Sequence, residues 1–239
     1  NNFDNIKTQT ELDNCLQIIF DSDKHYDYEL KEIYNFTMIL PESFYGEGSF
    51  TKWIRVGWAL KNNNCEDTNI MFIIWMKFSS QYDKFNFKDI QEYYNLWNSF
   101  QENNPDGLTK RSIMYWAKNE EKYQYVRRET ISYYIEKTLE TMVQKDKVTE
   151  FDLAIVLYQM FKDEFVCVSI KNNLWYQYKN YKWHEIDSGN TLRLLISKSM
   201  HAIYIKKLNE LVDKMLKLES NDDDDKYRSR SHKLTEICV

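Results

Sequence analysis

The stretch "DTNIMFIIWMKFSSQ", Asp67–Gln81, decides the fold class. From Ile70 to Met76 every side chain is apolar. A segment that is apolar nearly all round reads as a helix buried on every side, the centre of a helical domain. The run is far too short to span a bilayer. Working outward, "FTKWIRVGWALKN" (Phe50–Asn62) sets Phe50, Trp53, Ile54, Gly57, Trp58 and Leu60–Lys61 on successive turns, the spacing of an amphipathic helix. "YELKEIYNFTMIL" (Tyr28–Leu40) carries Leu30, Ile33, Tyr34 and Met38 and must end before Pro41. "NFKDIQEYYNLWNSF" (Asn86–Phe100) offers Asn86 as a cap and lines up Ile90, Tyr93, Tyr94 and Trp97. "NNPDG" (Asn103–Gly107) is a turn, and "LTKRSIMYWAK" opens a further short helix with Thr109 at its N-cap.

The texture changes after residue 120. Residues 121–148 read as one long polar-aromatic connecting helix, and 149–163 as another, with Thr149 and Asp152 as a partial capping box. Its face is Leu153, Val156, Leu157 and Met160. Then "FVCVSI", "LWYQY" and "YKWHEI", split by "KNN" and by Lys179–Asn180, make a small antiparallel meander. After Asp187–Ser188–Gly189 a long amphipathic helix runs to about Glu219, with Leu192, Leu195, Ile196, Ile203, Leu208, Leu211, Val212, Met215 and Leu218 as its stripe. The expected fold is therefore mainly α: a small helical domain (25–120), then an α+β region (149–219) with a short meander and a long helix. Residues 1–24 read as an incoming linker, and 220–239 as a charged linker ending in a truncated element. The chain begins with Asn1, which fits a piece of something longer.

Composition agrees. Among 239 residues there are only 5 Gly and 2 Pro, which favours long helices over loop-rich β structure. Net charge is −5, so nucleic-acid contact, if present, is local. Cys15, Cys65, Cys167 and Cys238 are scattered without a C-x-x-C, which speaks against a zinc site or a disulfide framework. No glycine sits in a P-loop context, and Gly46–Gly48 lacks the third glycine of a nucleotide loop. His25, His184, His201 and His232 form no metal-ligand spacing. Asp21 and Asp23 in "IIFDSDKH" resemble a D-x-D pair that could hold Mg²⁺ for nucleotidyl transfer, against a solvated acidic turn. The helices that follow supply no palm-like sheet for such a centre.

Basic residues interleaved with aromatics remain: Lys110–Arg111, Arg127–Arg128, and Arg193, Lys198, Lys206 and Lys207. Lys110 and Arg111 stand at the first two positions of a helix, where cations are disfavoured by roughly 0.3–1 kcal/mol. They read either as solvated cations or as a phosphate seat beside free helix amides. Trp175, Tyr176, Tyr178 and Trp183 read either as packing residues or as base-stacking surfaces.

Together "WIRVGWALKN", "IIWMKFSSQYDKF", "YNLWNSF" and "GLTKRSIMYWAK" resemble the helical primase C-terminal domain of viral primase-helicases of large DNA viruses, the poxvirus-type nucleoside triphosphatase family. Trp53, Trp58, Trp75, Trp97 and Trp116 fit that frame as structural core, and the hairpin of Trp175 and Trp183 resembles the start of the domain preceding a superfamily III helicase. An Asn-, Lys- and Tyr-rich chain also suits a mimivirus-like source. The resemblance implies a non-catalytic linker and collar between an upstream primase and a downstream AAA+ helicase. It implies DNA and the other domains of the same protein as partners, a homo-hexamer, and no membrane. ATP and Mg²⁺ are implied for the parent protein and no cofactor for this chain; the implied place is the host cytoplasm, at a viral replication factory. A stand-alone protein-interaction module and a nucleotidyltransferase using Asp21 and Asp23 are the alternatives.

Overall fold

A computed structural model of the chain describes residues 3, 6–21, 28–63, 68–145 and 149–217. The chain divides into two compact units, Asn1–Arg128 and Glu129–Val239.

The first unit is a helical bundle: α1 (Gln9–Asp21), α2 (Tyr28–Met38), α3 (Phe50–Lys61), α4 (Thr68–Ser79), α5 (Ile90–Asn98) and α6 (Lys110–Ala117). It also takes in the start of α7 (Tyr123–Lys145), from which Tyr123 and Val126 enter its core. Helix α4 is central: every residue from Ile70 to Met76 is buried, and α1, α2, α3 and α5 all pack on it. Lys77 leaves this wall by pairing with Asp13 of α1 at 2.5 Å. Gly57 of α3 lets the helices approach, because a β-carbon there would lie 2.8–2.9 Å from Phe100 and Trp75.

Within the stretch read as an incoming linker, the described residues include a helix that packs into the first unit. Helix α1 places Leu12 and Leu16 in the core, and Phe3 joins them. A capping box starts it: the Lys7 amide and Thr8 Oγ1 both donate to Glu11 Oε2, at 2.8 and 3.0 Å, and the Glu11 amide donates back to Thr8 Oγ1. Hydrogen bonding, first from the Lys7 amide, holds the Glu11 carboxyl below its usual range.

The boundary between the units falls inside α7, within the stretch expected to connect them. In the second unit α8 (Glu150–Phe161) is capped by Thr149, whose Oγ1 accepts from the Asp152 amide while Asp152 Oδ2 accepts from the Thr149 amide, each at 3.2 Å. Strands β1 (Phe165–Ser169), β2 (Leu174–Lys179) and β3 (Lys182–Ile186) form an antiparallel meander in sequence order. The tight turn is Asn180–Tyr181 rather than Lys179–Asn180: Lys179 pairs with Lys182, and Asn180 and Tyr181 have φ of 52° and 62°. A two-residue turn of this hand requires positive φ at both central positions.

The long helix is present over its described residues but is not uniform. Helix α9 (Asn190–Leu195) and α10 (His201–Lys217) are joined by a π-helical stretch, Ile196–Met200. Leu192, Ile196, Met200 and Tyr204 recur every fourth residue, which drifts around a 3.6-residue helix; the wider π turn absorbs the excess. Met200 and Tyr204 are buried. Lys207 of α10 reaches Glu136 of α7 at 2.5 Å. The side chains of Leu211, Val212 and Met215, residue Leu218, and the segment 220–239 lie outside the described residues. No described helix is long and apolar enough to cross a membrane.

Candidate nucleic-acid interface

The turn before α6 is tied by one side chain. Asn62, just past α3, donates from Nδ2 to the carbonyls of Asn104 and Leu108, at 2.8 and 3.1 Å, and its Oδ1 accepts from the Asn104 amide at 2.8 Å. Thr109 is extended, and its amide donates to Ser112 Oγ at 3.1 Å. Leu108 packs against the core and Ile113 lies within it, so the helix enters at a fixed angle.

Lys110 does not point outward. Its ammonium pairs with Glu29 at 2.5 Å and Glu32 at 3.3 Å, both on α2, and it is 17% exposed against 2% for Glu32. Two carboxylates offset the unfavourable placement of a cation at a helix start. Lys110, read either as a solvated cation or as part of a phosphate seat, thus has its ammonium engaged by carboxylates of the same unit. Arg111 is exposed. Arg127 is half-buried, and Arg128 is exposed with Nε donating to the Gln124 carbonyl of its own helix at 3.2 Å. Asp21 ends a helix rather than a strand, and Asp23 and His25 lie outside the described residues. Among the described residues no group of three His, Cys, Asp or Glu side chains could hold a metal.

The tryptophans divide. Trp75 and Trp97 are buried, their ring centroids 5.7 Å apart. Trp53 stacks on Trp75 at 4.4 Å, and its indole N–H donates to Ser79 Oγ at 2.7 Å, which in turn donates to the Trp75 carbonyl. That serine satisfies a partly buried indole, so its place one turn after Trp75 has a physical cause. Trp116 is half-buried against the core, and Trp175 is half-buried with its N–H on Asn173 Oδ1 at 2.9 Å. Trp58 and Trp183 are not core: they are 43% and 50% exposed. Trp58 is rotated about 100° from Gly57, off the inward face. Trp183 sits on the sheet face of Val166 and Tyr178, its ring 5.2 Å from that of Tyr178.

A row of cations and rings escaped sequence reasoning. The Lys52 ammonium lies 5.0 Å from the Phe44 centroid, Phe44 lies 5.5 Å from Trp116, and the Arg55 guanidinium lies 5.3 Å from the Trp116 centroid. Lys52 and Arg55 share a face of α3 by their i,i+3 spacing, but Trp116 arrives from α6, and only the packing of α3 on α6 unites them.

Part of this tryptophan-packed bundle matches a known domain. Residues 38–117 match the model of Primase C terminal 2 (PriCT-2). They form a primase C-terminal domain. The chain is 27% identical over 177 residues to an Acanthamoeba polyphaga mimivirus protein named "Putative helicase", a match covering 73% of this chain and 17% of that protein. A frog virus 3 protein, also named "Putative helicase", is 24% identical over 148 residues, covering 61% of this chain and 14% of the relative. An African swine fever virus protein named "Putative primase" is 22% identical over 191 residues, covering 74% and 19%. The chain, with its primase C-terminal domain, matches a viral primase–helicase family and spans less than a fifth of these relatives.

Proposed function

We propose that the chain is the non-catalytic linker and collar region of a viral DNA-replication primase–helicase, coupling primase to AAA+ helicase and contacting DNA. The observation that carries this reading is the primase C-terminal match on the first unit, followed in the same chain by a second unit with its own meander and long helix. On this reading ATP and Mg²⁺ belong to the parent protein, which assembles as a hexamer and works in the host cytoplasm at replication factories. The exposed sheet face of Val166, Tyr178 and Trp183 suits a collar contact between copies.

The test is enzymatic. The 239-residue chain, assayed with Mg²⁺ for ATP hydrolysis and primer synthesis, is expected to be inert. Hydrolysis that a point substitution within the chain abolishes overturns the proposal.

A further inference from the structure

We infer that the joint face of α3 and α6 docks single-stranded nucleic acid, with Lys52 and Arg55 on phosphates and Phe44, Trp116 and Tyr115 meeting bases. This deepens the reading above and rests on its nucleic-acid context, but it stands on separate observations.

The first is where carboxylates are missing. In a chain of net charge −5, α1, α2 and α5 each carry at least one Asp or Glu, whereas α3 (FTKWIRVGWALK), α6 (KRSIMYWA) and the largely buried α4 carry none, and of these three it is α3 and α6 that present exposed cations. The second is what the lysines do. Lys61, Lys77, Lys84 and Lys110 are paired with Glu102, Asp13, Glu47 and Glu29, while other exposed lysines such as Lys31 and Lys88 show no ion pair among the described residues; what sets Lys52 and Arg55 apart is the rings beneath them. Among the described residues Lys52 and Arg55 reach no carboxylate; they lie over rings. Lys52 gives one N–H to Ser43 Oγ at 3.3 Å. A cation on a ring keeps its remaining donors for an anion and holds a defined place while it waits. Of the acids nearest in sequence, Glu42 lies against Gly46 and Glu47 pairs with Lys84, while Asp106 precedes α6 and Glu120 and Glu121 follow it.

The third observation is exposed aromatic surface on the same two helices. Tyr115 is 75% exposed, flanked on the outward stripe of α6 by Arg111 and Lys118, and Trp58 follows Arg55 by one turn of α3. Rings alternating with cations suit a strand whose bases are free to stack; a duplex hides those ring faces within its own stack.

The test uses the whole chain and a fluorescein-labelled oligothymidylate, followed by anisotropy across a salt series. The pair Lys52→Glu/Arg55→Glu is compared with Lys31→Glu/Lys88→Glu, an equal charge change at exposed positions on neither α3 nor α6. The first pair is expected to weaken binding at least about tenfold and the second less than about twofold. The milder Lys52→Gln/Arg55→Gln pair should lower the slope of log affinity against log salt by about 1.4, on the order of 0.7 for each phosphate no longer neutralised. Tyr115→Ala should cost roughly tenfold with the slope unchanged. Equal losses in both Glu pairs, no binding by the unaltered chain, duplex bound as tightly as single strand, or displacement of the oligonucleotide by a Glu-rich peptide at lower concentration would each overturn the inference. Such a result with the chain still inert toward ATP leaves the linker reading standing, whereas hydrolysis by the chain removes that reading and not this surface.

Discussion

In the first unit Trp75 and Trp97 are enclosed by helices, while in the second Trp183 stands half exposed on a three-stranded sheet with Tyr178 beside it. Both regions are rich in aromatic residues but use their rings differently. A central helix can be covered on every side by neighbours, so a ring there contributes on the order of 5 kcal/mol of transfer free energy. A small meander has two faces, and the rings on its open face are available for contact.

The largest test of this contrast is a pair of substitutions. Trp75→Ala should destabilise the first unit by about 3–5 kcal/mol, seen as a lower urea midpoint. Trp183→Ala should change the second unit's stability by no more than about 0.5–1 kcal/mol. Similar costs at both positions would break the comparison.

A smaller effect sharpens it. Lys110→Ala strips an ion partner from Glu32, which is 2% exposed, and should cost about 1–3 kcal/mol. The salt dependence of oligonucleotide binding should stay as it was. A shallower slope would mean that Lys110 meets phosphate after all.

The smallest effect is at the start of α1. The Glu11 carboxyl is held low in the folded chain, so its contribution is present above the unfolded value and fades as pH falls through the folded one. Amide exchange at Lys7 and Glu11 should therefore report fraying only on acidification below the ordinary carboxylate range. Glu11→Gln should remove that pH dependence, and a Gln variant that frays on acidification as the unaltered chain does would refute the assignment.

Much of this fold is legible in the sequence. The 3.6-residue spacing in α3 and α5, the all-round apolarity of α4, and the strand–turn–strand texture are local signals, and each matches the element found. Helix α1 carries a signal too, because "TQTE" at Thr8–Glu11 is a capping-box pattern, but its inward residues Leu12 and Leu16 only partly overlap the apolar patch "CLQIIF". The site is less legible for a different reason. Lys110 and Glu29 are 81 residues apart, and nothing near either one announces the other. Arg55 and Trp116 likewise meet only because α3 packs on α6. Charge at a helix start is visible in a sequence; whether the fold has already neutralised it is not.

The π turn at Ile196–Met200 makes the second unit's last helix a matter of phase. Remove a single residue there and every position from His201 onward would swing by about 100° around the axis. Tyr204 would leave its buried setting, and Lys207 would be turned away from Glu136. Chain length at this point, more than the identity of the five residues, keeps the helix's two halves facing the same way.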